Sequence, residues 1–246
     1  MNLVSLDIST KSGWAFYLNG KLIRFGTLWA NSVVGDHGLY PFNYVNWAEH
    51  TANRIFNEIV QPALDDKSKS EFGNTPLYII CEETTTSQNN YSQKKLEFLH
   101  FALIKKLGGL QVFYVRDGYW KGVVGARLNA AEREINRLVK EYKEDTGEKL
   151  AKLDLGDGRG YRVVGRITPQ HCYIRALKEH FNLDLAVKDE DAAAAILLGL
   201  AFTRGVPICD GNTWGGVEKK EKKKKVKKEK KRAVGNKKRK AAAPKG

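Results

Sequence analysis

Cysteine is scarce: the chain has three in 246 residues, and Cys81, Cys172 and Cys209 show neither zinc-site spacing nor the even count of a disulfide framework. Such usage fits a reducing, intracellular compartment. Also missing is any run of the roughly 18 consecutive apolar residues that a membrane span requires. The N-terminus lacks the charged-then-apolar order of a signal peptide. The apolar stretch from Ala192 to Phe202 is too short to span a bilayer and reads as a buried helix. No internal repeat is visible. An acidic balance is absent too, because the formal net charge is +14.

That charge is concentrated at one end. Residues 217–246 hold 16 Lys and Arg against three acids, whereas residues 1–216 hold 26 against 25. The chain is therefore read as one domain over 1–216 and a basic tail over 217–246. With almost nothing apolar to bury and like charges in repulsion, the tail is expected to be disordered. Its Lys222, Lys223, Lys224, Lys225, Lys237, Lys238 and Arg239 are candidate phosphate contacts, which bind through counterion release without reading sequence. The same tail resembles a nuclear localisation signal, so the nucleus is one setting. In a phage or bacterial protein, working in the cytoplasm or nucleoid, it would be a nucleic-acid tether.

The 42% apolar content is enough for one substantial core. Asn2–Asp7 reads as a short apolar strand ending in an acid, and residues 14–18 as a second. Asn19-Gly20 between that strand and residues 22–28 is a strong hairpin signal, since a type I′ turn needs positive φ at both positions. Trp47, Thr51, Ile55, Phe56 and Ile59 recur at helical spacing up to Pro62, the expected stop. Residues 77–81 form a continuous apolar run suited to a strand buried on both faces. A helix over 92–107 and a strand over 111–115 follow. Residues 122–166 read as an insertion holding a charged helix (130–142) and a glycine-rich turn (156–160) of hairpin type. Thr168-Pro169 opens another helix, and the last begins near Asp189. The order is three antiparallel strands, helix, strand, helix, strand.

Acids stand where packing alone would not put them. Asp7 and Glu82 each follow a buried strand, and Asp189 and Asp191 open a buried helix. Strands one and four are neighbours in the sheet this order implies, so their ends bring Asp7 and Glu82 together. Clustered carboxylates repel unless cations neutralise them, which hard divalent ions with oxygen ligands do. The bland reading makes each acid a turn residue or helix cap, and only their joint order favours chemistry.

Leu3-Val4-Ser5-Leu6-Asp7-Ile8-Ser9 with Gly13-Trp14-Ala15 resembles the first motif of RuvC-like Holliday-junction resolvases, members of the RNase H-like superfamily that include phage and viral enzymes. Ile79-Ile80-Cys81-Glu82 resembles the second motif, and Lys188-Asp189-Glu190-Asp191-Ala192-Ala193 the third. The resemblance covers most of 1–121 and 168–203. It implies an α/β RNase H-like fold: a mixed five-stranded sheet, three strands antiparallel and then two parallel, flanked by helices. It also implies a magnesium-dependent endonuclease with two ions per site, Mn²⁺ substituting, that resolves four-way or branched DNA without a nucleotide cofactor or a membrane. Asp7, Glu82 and Asp191 would be catalytic metal ligands and Asp189 a fourth, although Glu190 is open for that role. Alternation along the strand lets only one of Glu82 and Glu83 face the site, and the motif selects Glu82. Lys121 resembles the family's basic residue after the fifth strand, a phosphate contact.

Leu96, Phe98, Leu99, Phe101, Leu103 and Ile104 cover more than one face of their helix, and the resemblance implies a twofold homodimer there. Glu49 on the first helix keeps ribonuclease H-type cleavage of RNA–DNA hybrids open. A non-catalytic nucleic-acid-binding scaffold is the third reading. Actin-like ATPases need a second phosphate loop of Asp-x-Gly type, and residues 82–90 contain no glycine.

Overall fold

The computed structural model describes residues 1–30, 39–83, 90–147, 153–154, 162–163 and 166–209. The predicted tail contacts and the glycine-rich turn at 156–160 lie outside the described residues. The five-stranded sheet lies within the compact unit Met1–Ile208.

Strands β1 (Asn2–Asp7), β2 (Lys11–Leu18) and β3 (Lys21–Trp29) make an antiparallel meander. Asn19 (φ 50°) and Gly20 (φ 77°) both adopt the left-handed conformation the hairpin demands. Strand β4 (Leu77–Glu82) lies parallel to β1, and β5 (Gln111–Val115) lies parallel to β4. The sheet order is β3-β2-β1-β4-β5, the predicted mixed arrangement of three antiparallel and then two parallel strands.

Central strands must bury both faces, and β1 divides its side chains accordingly. Val4 and Leu6 pack with Ile79 and Cys81 against α1 (Phe42–Ile55), α2 (Gln61–Ser68) and α3 (Asn90–Lys106). Leu3 and Ile80 face the other layer, formed by α4 (Asp117–Val123), α6 (Pro169–Phe181) and α7 (Glu190–Thr203). The helical run does not stop at Pro62. A π-helical turn over Phe56–Val60 precedes α2, and Pro62 falls in the first turn of α2, where no N–H is needed.

Helix α5 (Ala130–Thr146) carries a capping box from Asn129 and Glu132 and ends at Gly147 in left-handed geometry. The two-residue strands β6 (Leu153–Asp154) and β7 (Arg162–Val163) pair antiparallel, as a hairpin requires. Val124 and Ala126 are buried in the α7-side core. Arg175 of α6 holds Glu132 of α5 at 2.7 Å, and Asn136 exchanges two hydrogen bonds with the Ile167 backbone, at 2.7 and 3.0 Å.

Candidate active site

The pleat decides which acids meet. Leu3, Ser5 and Asp7 alternate onto the α7 side of β1, and Ile80 and Glu82 do the same on β4. Because Leu6 pairs with Cys81 in parallel register, Asp7 and Glu82 leave neighbouring strands side by side on that face. Glu83 turns the other way, and its carboxylate takes the Arg116 guanidinium at 3.1 Å.

Helix α7 brings the third acid. It lies across β1 and β2, where Ser5 Oγ donates to the Ala195 carbonyl at 2.7 Å and Tyr17 Oη donates to the Ile196 carbonyl at 2.6 Å. Glycines permit the close approach. A Cβ on Gly13 would fall 1.8 Å from the Asp191 carbonyl oxygen, and one on Gly199 would meet Tyr17 Cε2 at 2.5 Å. Gly13 is also the register partner of Asp7, so the first turn of α7 ends up beside the end of β1.

The electrostatics register this convergence. Burial, then the Asp191 carboxylate, push Asp7 up to about 7, with Asp117 and Glu190 adding to the rise and Lys121 opposing it. Burial, then a hydrogen bond to Asp117, then the Asp7 charge push Glu82 up to about 8. Burial would raise Asp117 as well, but its bonds with Glu82 and Lys121 outweigh that and hold it below the usual carboxylate range.

Two lysines neutralise the rim. Lys11 Nζ pairs with Asp191 at 2.9 Å and donates to the Lys188 carbonyl at 2.7 Å. Lys121 pairs with Asp117 one helical turn away. Burial works against its charge, yet Asp117 and the Tyr173 hydroxyl hold the ammonium above its ordinary range. The Trp120 and Tyr173 rings each stand 5.3 Å from this ammonium. Lys121 therefore belongs to helix α4, not to the loop on which a solvated lysine would sit.

Asp191 and Lys121 thus act on Asp7, and Asp7 and Lys121 act on Glu82. Asp189 closes a short 3₁₀ turn at the N-cap position of α7 without a capping bond, and the acid acting on Asp7 from this segment besides Asp191 is Glu190. Asp117, Lys11 and Tyr173 escaped the sequence reading. Asp117 did carry a signal, being an acid just after a buried strand like Asp7 and Glu82. Lys11 and Tyr173 carried none, since nothing in their neighbourhoods marks them as facing acids.

Among the described residues no three His, Cys, Asp or Glu side chains stand in a metal-holding arrangement, and Asp191 and Asp117 are instead drawn to lysines. The donor chemistry nonetheless fits a hard divalent cation. The oxygen donors come from three segments, and two of them, Asp7 and Glu82, are raised toward neutral by burial first and then by neighbouring acids, which a cation would relieve.

No protein-family model and no curated protein sequence matches the chain. Similar solved structures include RuvC of Thermus thermophilus, at 11% identity and a TM-score of 0.45 over 85% of this chain and 100% of that one. The T. thermophilus RuvC complex with a Holliday junction substrate is similar at 14% identity and a TM-score of 0.40, over 85% of this chain and 99% of that one. A PPX-GPPA enzyme from Aquifex aeolicus is similar at 14% identity and a TM-score of 0.23, over 50% of this chain and 40% of that one.

Proposed function

We propose that the chain is a metal-dependent endonuclease acting on branched DNA, four-way junctions foremost. The observation that supports this best is the coupling of Asp7, Glu82 and Asp191, three acids from distant parts of the sequence, with Asp7 and Glu82 raised to about 7 and 8. Acids destabilised by one another are retained in folded proteins chiefly where chemistry uses them.

Asp7, Glu82 and Asp191, with Glu190 as the fourth acid in preference to Asp189, would hold Mg²⁺. When bound, such ions would supply activation of water and neutralisation of charge on the leaving oxygen of a phosphodiester. The chain's own groups orient the substrate around them. Lys121, fixed by Asp117 and Tyr173, presents a positive charge to a phosphate at the mouth of the site. Lys11 does the same beside Asp191. The tail lysines add sequence-independent attraction, and deleting residues 217–246 should flatten the salt dependence of binding while leaving the cleavage position unchanged. A reducing intracellular setting suits Cys81 and Cys172, both buried and unbridged.

The ribonuclease H reading required Glu49 to join Asp7. Helix α1 packs on the opposite face of the sheet, and Glu49 lines a groove there with Val45, Ala52 and Phe101. Junction cleavage is therefore preferred over hybrid cleavage. The test incubates full-length protein and Asp7→Asn with Mg²⁺ and labelled four-way junction, duplex and RNA–DNA hybrid. Paired nicks in the junction that vanish in the variant, with binding intact, are expected. Preferential cutting of the hybrid, or no cutting of any substrate, would overturn the reading.

A further inference from the structure

The end of β3 leaves a tryptophan in solvent that the cleavage chemistry does not require. Trp29 is 61% exposed, an unusual place for the side chain that gains most from burial. Its backbone is pinned on both sides. Ala30 N–H donates to the Thr10 carbonyl at 2.9 Å, and Arg54 Nη1 donates to the Trp29 carbonyl at 2.6 Å. The indole therefore stands on a fixed base.

Its surroundings point to a ligand. Trp29 pairs in register with Lys11, so both side chains emerge on the α7 face of the sheet. Lys11 Nζ lies 5.4 Å from the indole centroid and 2.9 Å from the Asp191 carboxylate. One lysine thus spans the gap between the ring and the acids, a gap comparable to a single nucleotide. The ammonium lies over the indole by cation–π attraction, and the residue as a whole stays 61% exposed.

We propose that Trp29 and Lys11 form a subsite for an unpaired nucleotide next to the scissile phosphate, with the base stacked on the exposed indole and its phosphate held by Lys11. The subsite rests on the nuclease reading and extends it, because a nucleotide within reach of the indole must have left its duplex stack. Stacking on an aromatic side chain tolerates any base and is strong enough to hold a splayed nucleotide at a strand exchange point. Branched DNA supplies such nucleotides and intact duplex does not.

The experiment uses full-length protein with Ca²⁺ in place of Mg²⁺, and four-way junctions carrying 2-aminopurine at successive positions around the crossover. Affinity is read by anisotropy and stacking by 2-aminopurine emission. For the parent protein we expect quenching at one or two crossover positions. Trp29→Ala should weaken junction binding about tenfold and abolish the quenching. Trp29→Phe should keep most of both, and Phe42→Ala, an exposed aromatic away from Lys11, should change neither. Thermal unfolding of Trp29→Ala at the parent midpoint excludes misfolding. If the parent binds and cuts junctions while Trp29→Ala binds and quenches equally well, the subsite is wrong and the nuclease reading stands. If the parent binds no branched DNA, both fall together.

Discussion

Asp7 shows what a carboxylate does when its strand leaves it against other acids. Its folded-state value of about 7 exceeds the unfolded value of 3.8, and burial is the larger cause, ahead of the Asp191 charge. A raised acid stabilises the fold fully only below its unfolded value. That contribution is lost as pH climbs through the folded value, so the native state in chelator should weaken from about pH 4 to pH 8. Asp7→Asn removes the group responsible. In EDTA it should stabilise the protein at pH 8 by about 2 kcal/mol, less than the full shift because Glu82 shares the coupling, and by almost nothing at pH 4. Urea unfolding at the two pH values measures this. A variant less stable than the parent at pH 8 would mean that Asp7 is a structural partner and not a strained one.

Helix α7 and the β1–β2 hairpin work as a unit at the element scale. Ser5 and Tyr17 hold the middle of the helix, and Gly13 admits its first turn against the sheet. Gly13→Ala inserts a methyl at 1.8 Å from the Asp191 carbonyl, and neither a strand pairing on both edges nor a helix start can yield without moving. We expect a loss of about 1–3 kcal/mol from overpacking and at least a tenfold fall in cleavage, because Asp191 rides on the displaced turn. Activity at the parent level with the stability loss present would show that the turn tolerates displacement. The glycine before Trp14 was legible in the sequence as part of a motif. Its physical role, making room for a backbone nearly 180 residues away, was not.

At the scale of the whole molecule the two faces of the sheet differ in use. The acids lie on the α7 side. The α1 and α3 side presents Phe101 (70% exposed) on a groove of about 350 Å³. Leu99 and Leu103 of α3 are buried in this chain's own core, while Phe101 and Ile104 point outward. Part of the apolar width expected of this helix is thus spent within the chain, and the rest is exposed, where we propose that a second copy packs. Pairing through this surface would leave both carboxylate clusters on faces away from the contact, as a twofold enzyme cutting two strands of a junction needs. Phe101→Glu should convert a dimer into a monomer in sedimentation equilibrium. A parent that is monomeric at tens of micromolar would remove the proposal.

The amino-acid order alone determined the strands, their hairpin and the final buried helix, because period-two alternation and turn chemistry are local. It also separated a nearly neutral body from a basic tail, since charge can be counted along the chain. Only the tertiary structure decided that Asp117 joins Glu82, that Lys11 and Lys121 guard the rim, that Glu190 acts on Asp7, and that Glu49 belongs to the other face. Those relations depend on helix phase and on distances across space, and a charge acts on whatever the fold sets beside it, whatever the separation in sequence.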